Sequence, residues 1–238
     1  MSENPRVAFF AHWWASWARE IIKKVYEWEI DCCVSSILTQ DPESWAVQLA
    51  NDYCLLVSHL LIKYKNKKYP KQLDEKFYKN FFIENNLDFV FLSGWMSFVK
   101  WISAEKLINI HPWETDLYWW EGMYWMNVHN KVWEDYKKWN IKRSCVTMHY
   151  ATEKYDDGPI IFQSPVELDS CNSAKDVQKI VNKMEHEIQW KITKLLIDWS
   201  IKWSGKKEDK LEIINQEEID KLLLPEWSVF GWRINIIE

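Results

Sequence analysis

The chain has 238 residues, 47% hydrophobic and 27% charged, with a net charge of -5. That is enough to bury a substantial core in one domain, and neither the charge nor any Lys/Arg block supplies the basic footprint of a nucleic-acid binder. No apolar run approaches the length of a bilayer crossing and "MSENPRVAFFA" lacks the layout of a signal peptide, so a cytoplasmic protein with no membrane partner is expected.

In chain order, residues 7–11 read as a short buried strand, followed by "HWWASWAREIIKKVYEWE", a turn running into a helix. Residues 31–38 form a second predicted strand. "DPESWAVQLAND" is a helix with acidic residues expected in its first turn, and "CLLVSH" a third strand. "YPKQLDEKFYKNFFIENN" is helical, with Leu73, Phe77, Phe81 and Phe82 on one side, and "LDFVFLSG" is a strong strand. Strands alternating with helices in this way imply parallel βαβ units in a doubly wound α/β sheet.

The second half reads differently. "KLINIHP" is a strand, residues 123–138 a helix, and "RSCVTMHYAT" and "PIIFQSPVEL" two strands close together. Ser173 with Asp176 makes a capping box for a long helix ending near residue 198. The charged tail from about residue 200 carries one helical piece, "NQEEIDKLLL". Cys32, Cys33, Cys54, Cys145 and Cys171 form no CxxC pair and no metal-ligand spacing, so reduced thiols and no metal site are expected.

Asn109 and His111 stand two apart at the end of a strand, so they share one face. Asp156 and Asp157 precede Gly158-Pro159 in a polar loop. A carboxylate near an imidazole orients it and favours its cationic form. An amide can donate to a developing oxyanion. Asn, His and Asp converging on one point suit attack of an amine on a carbonyl carbon. His149, His129 and His186 read as structural, and Asp157 as a turn residue.

At "LSGWM" (92–96), "INIHP" (108–112), "HYATEKYDDGPIIF" (149–162) and "MEHEIQ" (184–189), the chain resembles the folate-dependent formyltransferases, in the branch that acts on glycinamide ribonucleotide. The resemblance runs from about residue 6 to residue 205. It implies a Rossmann-like fold with a central, mostly parallel mixed sheet and helices on both faces. The formyltransferase domain would span residues 1–205, with residues 206–238 a short extension of unread role. It further implies 10-formyltetrahydrofolate as co-substrate, glycinamide ribonucleotide as acceptor, no metal, and a monomer or homodimer.

Residue by residue, the resemblance makes His111 the general acid/base, Asn109 the oxyanion donor that also touches the formyl group, and Asp156 the carboxylate paired with the histidine. Met96, Ser97, Phe98 and Val99 would line the folate pocket, and Thr152, Glu153, Lys154, Tyr155 and Asp156 the loop against the pteridine. Lys71 would be a basic residue near both substrates. Asn182, Lys183, Met184 and above all Glu185 would hold the glycinamide end. Ala15, Ser16 and Trp17 fall where the family binds the ribose phosphate. Related chemistries stay open: formyl transfer to methionyl-tRNA or a nucleotide sugar, hydrolysis of formyl-folate, or a silent folate- or nucleotide-binding module. The short tail, acidic in balance, argues against tRNA.

One count is abnormal: 18 tryptophans against 5 glycines, so glycine is about 2% where roughly 7% is usual. Trp13, Trp14 and Trp17 follow a strand, Trp119, Trp120 and Trp125 sit in a turn, and Trp199 ends a helix. Such places need positive φ or close backbone approach, which glycine supplies and tryptophan does not. The family's phosphate turn is glycine-rich for that reason; here it reads "HWWASW". Positions 101, 113, 119, 120, 125, 139 and 199 are likewise expected to be glycine, whereas Trp95 and Trp203 read as true tryptophans. Some bacterial lineages read UGA as glycine, and a common alternative code reads it as tryptophan. Translation with the wrong table would yield this surplus, this deficit and these positions in one step.

Overall fold

The computed structural model describes residues 4–13, 15–59, 75–95, 97–118, 126–152, 154 and 156–237. Strand β1 (Arg6–Ala11) leads through helix α1 (Ser16–Tyr26) to β2 (Cys33–Thr39), and α2 (Trp45–Asp52) leads to β3 (Leu56–His59). Helix α3 (Glu75–Glu84) precedes β4 (Phe89–Ser93), and a short 3-10 turn at Ala104–Lys106 runs directly into β5 (Leu107–His111). Helix α4 (Met126–Lys137) is followed by two long strands, β6 (Arg143–Tyr150) and β7 (Ile160–Glu167), and by the long helix α5 (Ala174–Ile197). The tail adds β8 (Ile201–Lys202), β9 (Glu212–Ile213), α6 (Gln216–Asp220) and β10 (Val229–Phe230).

Eight strands form one sheet in the order β10-β7-β6-β5-β4-β1-β2-β3. β3, β2, β1, β4 and β5 run parallel, whereas β6, β7 and β10 are antiparallel to their neighbours. The mixed, mostly parallel sheet is thus as the sequence implied.

Alternation along β1 shows why the sheet is covered on both sides. Val7, Phe9 and Ala11 belong to a core shared with Trp17 and Ile21 of α1, Leu49 of α2, Val132 of α4 and Ile192 of α5. Ala8 and Phe10 belong to a second core with Tyr78 and Phe81 of α3. A strand apolar on both faces is what a parallel sheet between helix layers requires.

The predicted capping box at α5 is present: Asp176 N–H donates to Ser173 Oγ at 3.2 Å, and Ser173 Oγ donates to Asp176 Oδ2 at 2.8 Å. Helix α2 departs from expectation. Asp41 accepts the Glu43 N–H at 2.9 Å in a turn of its own, so the helix starts only at Trp45 and no acidic residue lies in its first turn. Leu73 lies outside the described residues.

Helix ends impose a constraint that the composition hinted at. Nine non-glycine residues among those described have positive φ, and five are tryptophans: Trp28, Trp101, Trp139, Trp199 and Trp227. After α1, Trp28 N–H donates to Val25 O and Glu29 N–H to Lys24 O. After α4, Trp139 N–H donates to Tyr136 O and Asn140 N–H to Asp135 O. Both are Schellman closures, whose left-handed residue is ordinarily glycine. The two indoles project into solvent, 92% and 85% exposed, so no packing offsets the backbone strain.

Gly158 is fixed by a different constraint, close approach. A Cβ there would lie 1.5 Å from the carbonyl oxygen of Tyr150, where the chain folds back so that Tyr150 N–H meets Pro159 O. Gly158→Ala should therefore lower unfolding stability by about 3 kcal/mol, read as a lower urea midpoint. An unchanged midpoint would show that the turn relaxes freely.

Candidate active site

Strand β5 turns Ile108 and Ile110 into one core and Leu107 towards the other. Asn109 and His111 share the side of Leu107 at the strand's far end. Strand β6 lies beside β5, setting His149 opposite Asn109 and Thr147 opposite His111. The chain then leaves β6, turns at Gly158, and brings Asp156 back to the same spot. Asp156 adopts a left-handed backbone (φ 51), which Asp tolerates better than most residues.

His111 Nε2 lies 2.8 Å from Asp156 Oδ1 and 3.0 Å from Asn109 Nδ2. The amide oxygen of Asn109 is fixed by the Ile110 N–H at 2.9 Å, which leaves its nitrogen facing the imidazole. One ring nitrogen cannot donate to the carboxylate and accept from the amide at once. The shorter contact to a charged oxygen takes the proton. The Asn109 N–H is thereby left as a donor that a ligand can use. His111 and Asp156 are only 13% and 14% exposed, so the pair is shielded yet reachable.

Burial alone would raise the Asp156 carboxyl; the charge of His111 and its hydrogen bond, and then the charge of His149, outweigh it and bring the group to about 2. Asp156 is therefore a carboxylate throughout the neutral range. His149 goes the other way. Burial, reinforced by the charge of His111, lowers it to about 4, against the pull of Asp156. Its Nδ1 donates to Tyr150 O at 2.8 Å, which leaves a lone pair on Nε2, 3.8 Å from Asp156 Oδ1. Its ring stacks on His111 at 5.2 Å. Read from sequence as merely packed, His149 forms the buried wall of the site; only the cross-strand register could have shown this.

His111, His149 and Asp156 are also spaced closely enough to hold a metal ion. The His111–Asp156 contact at 2.8 Å is, however, shorter than the roughly 3.4 Å between two ligands of one tetrahedral ion. The arrangement is that of a hydrogen-bonded acid/base pair.

Beside the Asp156 loop lies a cavity of about 430 Å³. Val99, Ile102 and Ala104 make an apolar side, Thr152 and Lys154 a polar one, and Trp203 and Lys207 close it from beyond α5. Val99, Thr152 and Lys154 thus line one cavity. Ile102, Ala104, Trp203 and Lys207 were missed, because their segments carry no pattern that points to a ligand. Ser97 accepts a hydrogen bond from Gln40 at 2.6 Å, and Phe98 is exposed. Met96, Lys71, Glu153 and Tyr155 lie outside the described residues.

At the other end, Ala15 occupies the left-handed N-cap of α1 (φ 49) with no side-chain cap. The cap residue thus supplies no acceptor, and of the first-turn amides that of Ala18 donates to Ser93 Oγ at 3.4 Å. Ser16 is exposed, but the Trp17 ring is buried against Phe91 at 5.4 Å, so only its backbone could meet a ligand. Trp113 also departs from expectation. Its backbone is not left-handed, and its ring is buried 4.8 Å from that of His111, so nothing in its conformation requires glycine. On α5, Asn182, Met184 and Glu185 are partly buried and Lys183 is exposed. Burial raises Glu185 to about 7, even though the nearby His111 pulls it down.

A sequence model of the formyl transferase family matches residues 5–193. A chloroplastic phosphoribosylglycinamide formyltransferase from Arabidopsis thaliana is 28% identical over 136 residues, 56% of this chain and 44% of that protein. The chain thus spans about half the length of the curated relatives it matches. Among solved structures, glycinamide ribonucleotide transformylase 1 from Symbiobacterium toebii superposes with a TM-score of 0.72 at 18% identity, covering 90% of this chain and 96% of that one. A formyltetrahydrofolate deformylase from Pseudomonas syringae pv. tomato gives 0.69 at 16% identity, covering 90% and 67%.

Because the folded state holds the Glu185 proton more tightly than the unfolded chain does, stability should fall as pH rises from about 4.5 towards 7. Glu185→Gln cannot titrate. Its stability advantage over the parent should grow across that window by at most about 1.4 kcal/mol per pH unit, measured by denaturant unfolding at pH 5 and pH 7.5. Parallel pH profiles would show that Glu185 ionises normally.

Proposed function

The chain belongs to the formyl transferase family, and we propose that it moves the formyl group of 10-formyltetrahydrofolate onto the amine of glycinamide ribonucleotide, a step of purine biosynthesis. The observation that carries this reading is His111 Nε2 between Asn109 Nδ2 at 3.0 Å and Asp156 Oδ1 at 2.8 Å, with a cavity large enough for a bicyclic ring lined by the neighbours of Asp156 in its loop, Lys154 and Asp157. The amine attacks the formyl carbon, and the carbonyl pair moves onto oxygen. Asn109 N–H and protonated His111 stabilise that oxyanion. Asp156 fixes the orientation of the imidazole through its hydrogen bond to Nε2. The amine then loses its proton, N10 gains one, and the C–N10 bond breaks to release tetrahydrofolate. The N-terminus of α1, where Ala15 supplies no side-chain acceptor, suits the ribose phosphate, and Glu185 the glycinamide end.

Asp156→Asn should lower kcat at least about 100-fold, a loss beyond what the accompanying fall in unfolding midpoint explains, a fall expected because the fold stabilises this carboxylate. Retained transfer would overturn the assignment. Formate release that does not depend on the amine would identify a formyl-folate hydrolase instead.

We further propose that most of these tryptophans stand where the natural chain carries glycine, through UGA codons read as glycine. Support comes from the left-handed backbone at Trp28, Trp101, Trp139, Trp199 and Trp227. Trp227 fits the same pattern in a tight turn: Ser228 N–H donates to Pro225 O, which makes residue 227 the position where a type II turn demands positive φ. Each such site costs about 1–2 kcal/mol for a side chain with a Cβ, so five together rival the roughly 5–15 kcal/mol by which a domain is stable. The codons should be UGA at these five positions and UGG at Trp95 and Trp203. Trp28→Gly and Trp139→Gly should each add about 1 kcal/mol of stability. UGG throughout, with both variants destabilised, would show the indoles to be genuine.

A further inference from the structure

Glu114, two residues beyond Pro112, is only 4% exposed. A carboxylate so placed must be paired. Its Oε1 receives Arg233 Nη1 at 2.5 Å and the Asp116 N–H at 3.1 Å, and its Oε2 receives Gln163 Nε2 at 3.0 Å. Arg233 reaches two further groups, Thr115 Oγ1 at 3.0 Å through Nη1 and Asp116 Oδ2 at 2.8 Å through Nε. The next tail residue completes the grip. Ile234 N–H donates to Gln163 Oε1 at 2.7 Å, Gln163 Nε2 to Thr147 Oγ1 at 2.9 Å, and Thr147 Oγ1 to the Trp113 carbonyl at 2.8 Å.

Residues 233–234 thus hold every residue from 113 to 116, the loop that leaves the strand bearing His111. The loop is coupled to the imidazole at two points: the Trp113 ring lies 4.8 Å from the His111 ring, and Thr147 is the cross-strand partner of His111. Strand β10, just before Arg233, is paired to β7 and brings the guanidinium to this depth. A guanidinium suits the task because its fixed fork serves acceptors lying in different directions, which an ammonium serves as a point charge.

We propose that Arg233, in the C-terminal tail, is a positioning residue: by clamping residues 113–116 it holds Trp113 against His111 and so sets where the imidazole meets the substrate. The kinetic part of this inference rests on the formyl-transfer reading. A buried, hydrogen-bonded anchor far along the chain can matter to rate because small displacements of a reacting group are costly.

The test uses the full-length chain with Arg233→Met and the double variant Glu114→Gln/Arg233→Met, in which no buried charge is left unpaired. Arg233→Met should lower kcat about 10- to 100-fold with KM nearly unchanged. The double variant should regain thermal stability without regaining kcat, because the links to Thr115 and Asp116 are still missing. In both, amide hydrogen exchange across residues 113–118 should quicken. Recovery of kcat together with stability in the double variant would reduce Arg233 to a counter-charge and overturn the proposal, as would kcat within two-fold of the parent in the single variant. The exchange arm needs no activity. If the parent transfers no formyl group, faster exchange would support the clamp while the formyl reading falls, and unchanged exchange would overturn the clamp itself.

Discussion

The hydrogen bond between His111 Nε2 and Asp156 Oδ1, 45 residues apart in the chain, is the contact on which the site depends. It persists against a penalty: burial pushes the Asp156 carboxyl up, and His111, helped by His149, brings the group down to about 2. Such a bond repays desolvation only where its geometry is held by the surroundings. Here the parallel strands carry His111 to the end of β5, the antiparallel strand β6 supplies the neighbouring wall, and the loop after it folds back to deliver Asp156. The last step uses two uncommon backbone solutions, a left-handed aspartate and a glycine pressed onto the Tyr150 carbonyl.

How far this could be read in advance depended on how far each feature reached along the chain. The parallel half was legible because its strands are apolar on both faces and its helices alternate with them. The α5 capping box was legible because its two residues are three apart. Asn109 and His111 were legible as a same-face pair. The polar loop of Asp156 and Asp157 was legible as a source of a carboxylate, but Asp156 was singled out only through resemblance, since nothing local says where such a loop will land. His149 was legible as packed, but not its place beside His111, which depends on the register of β6 against β5. The two-residue strands β8, β9 and β10 are too short for any periodicity. Arg233 meets partners 117 to 119 residues away, with no pattern of its own.

The tryptophans show local and global signals disagreeing in a structured way. Where a helix must reverse, the backbone requires a left-handed residue whatever the side chain. At α3 that residue is Asn86, which accepts the conformation well. At α1 and α4 it is a solvent-exposed indole. A sequence shaped by selection for its fold ordinarily agrees with itself across levels. Concentrated disagreement at the sites that favour glycine is better explained by one systematic substitution than by several independent ones. Trp113 marks the limit of counting alone, because its backbone is not left-handed and its ring contributes to the wall beside His111.

The tail gives the same lesson about position from the opposite side. The loop after β6 controls one flank of His111, through Asp156. The loop after β5 controls the other, through Trp113, and that loop holds a buried carboxylate with no cation near it in the chain. Had Glu114 been left unpaired, desolvation would favour its escape to solvent and so shift the turn that follows Pro112. A guanidinium delivered by β10 removes that route and adds directional bonds to the next two residues. A sheet whose edge strand comes from the last residues of the chain is therefore more than a closed fold. It places the final charge needed to keep the loop beside the imidazole in a single arrangement.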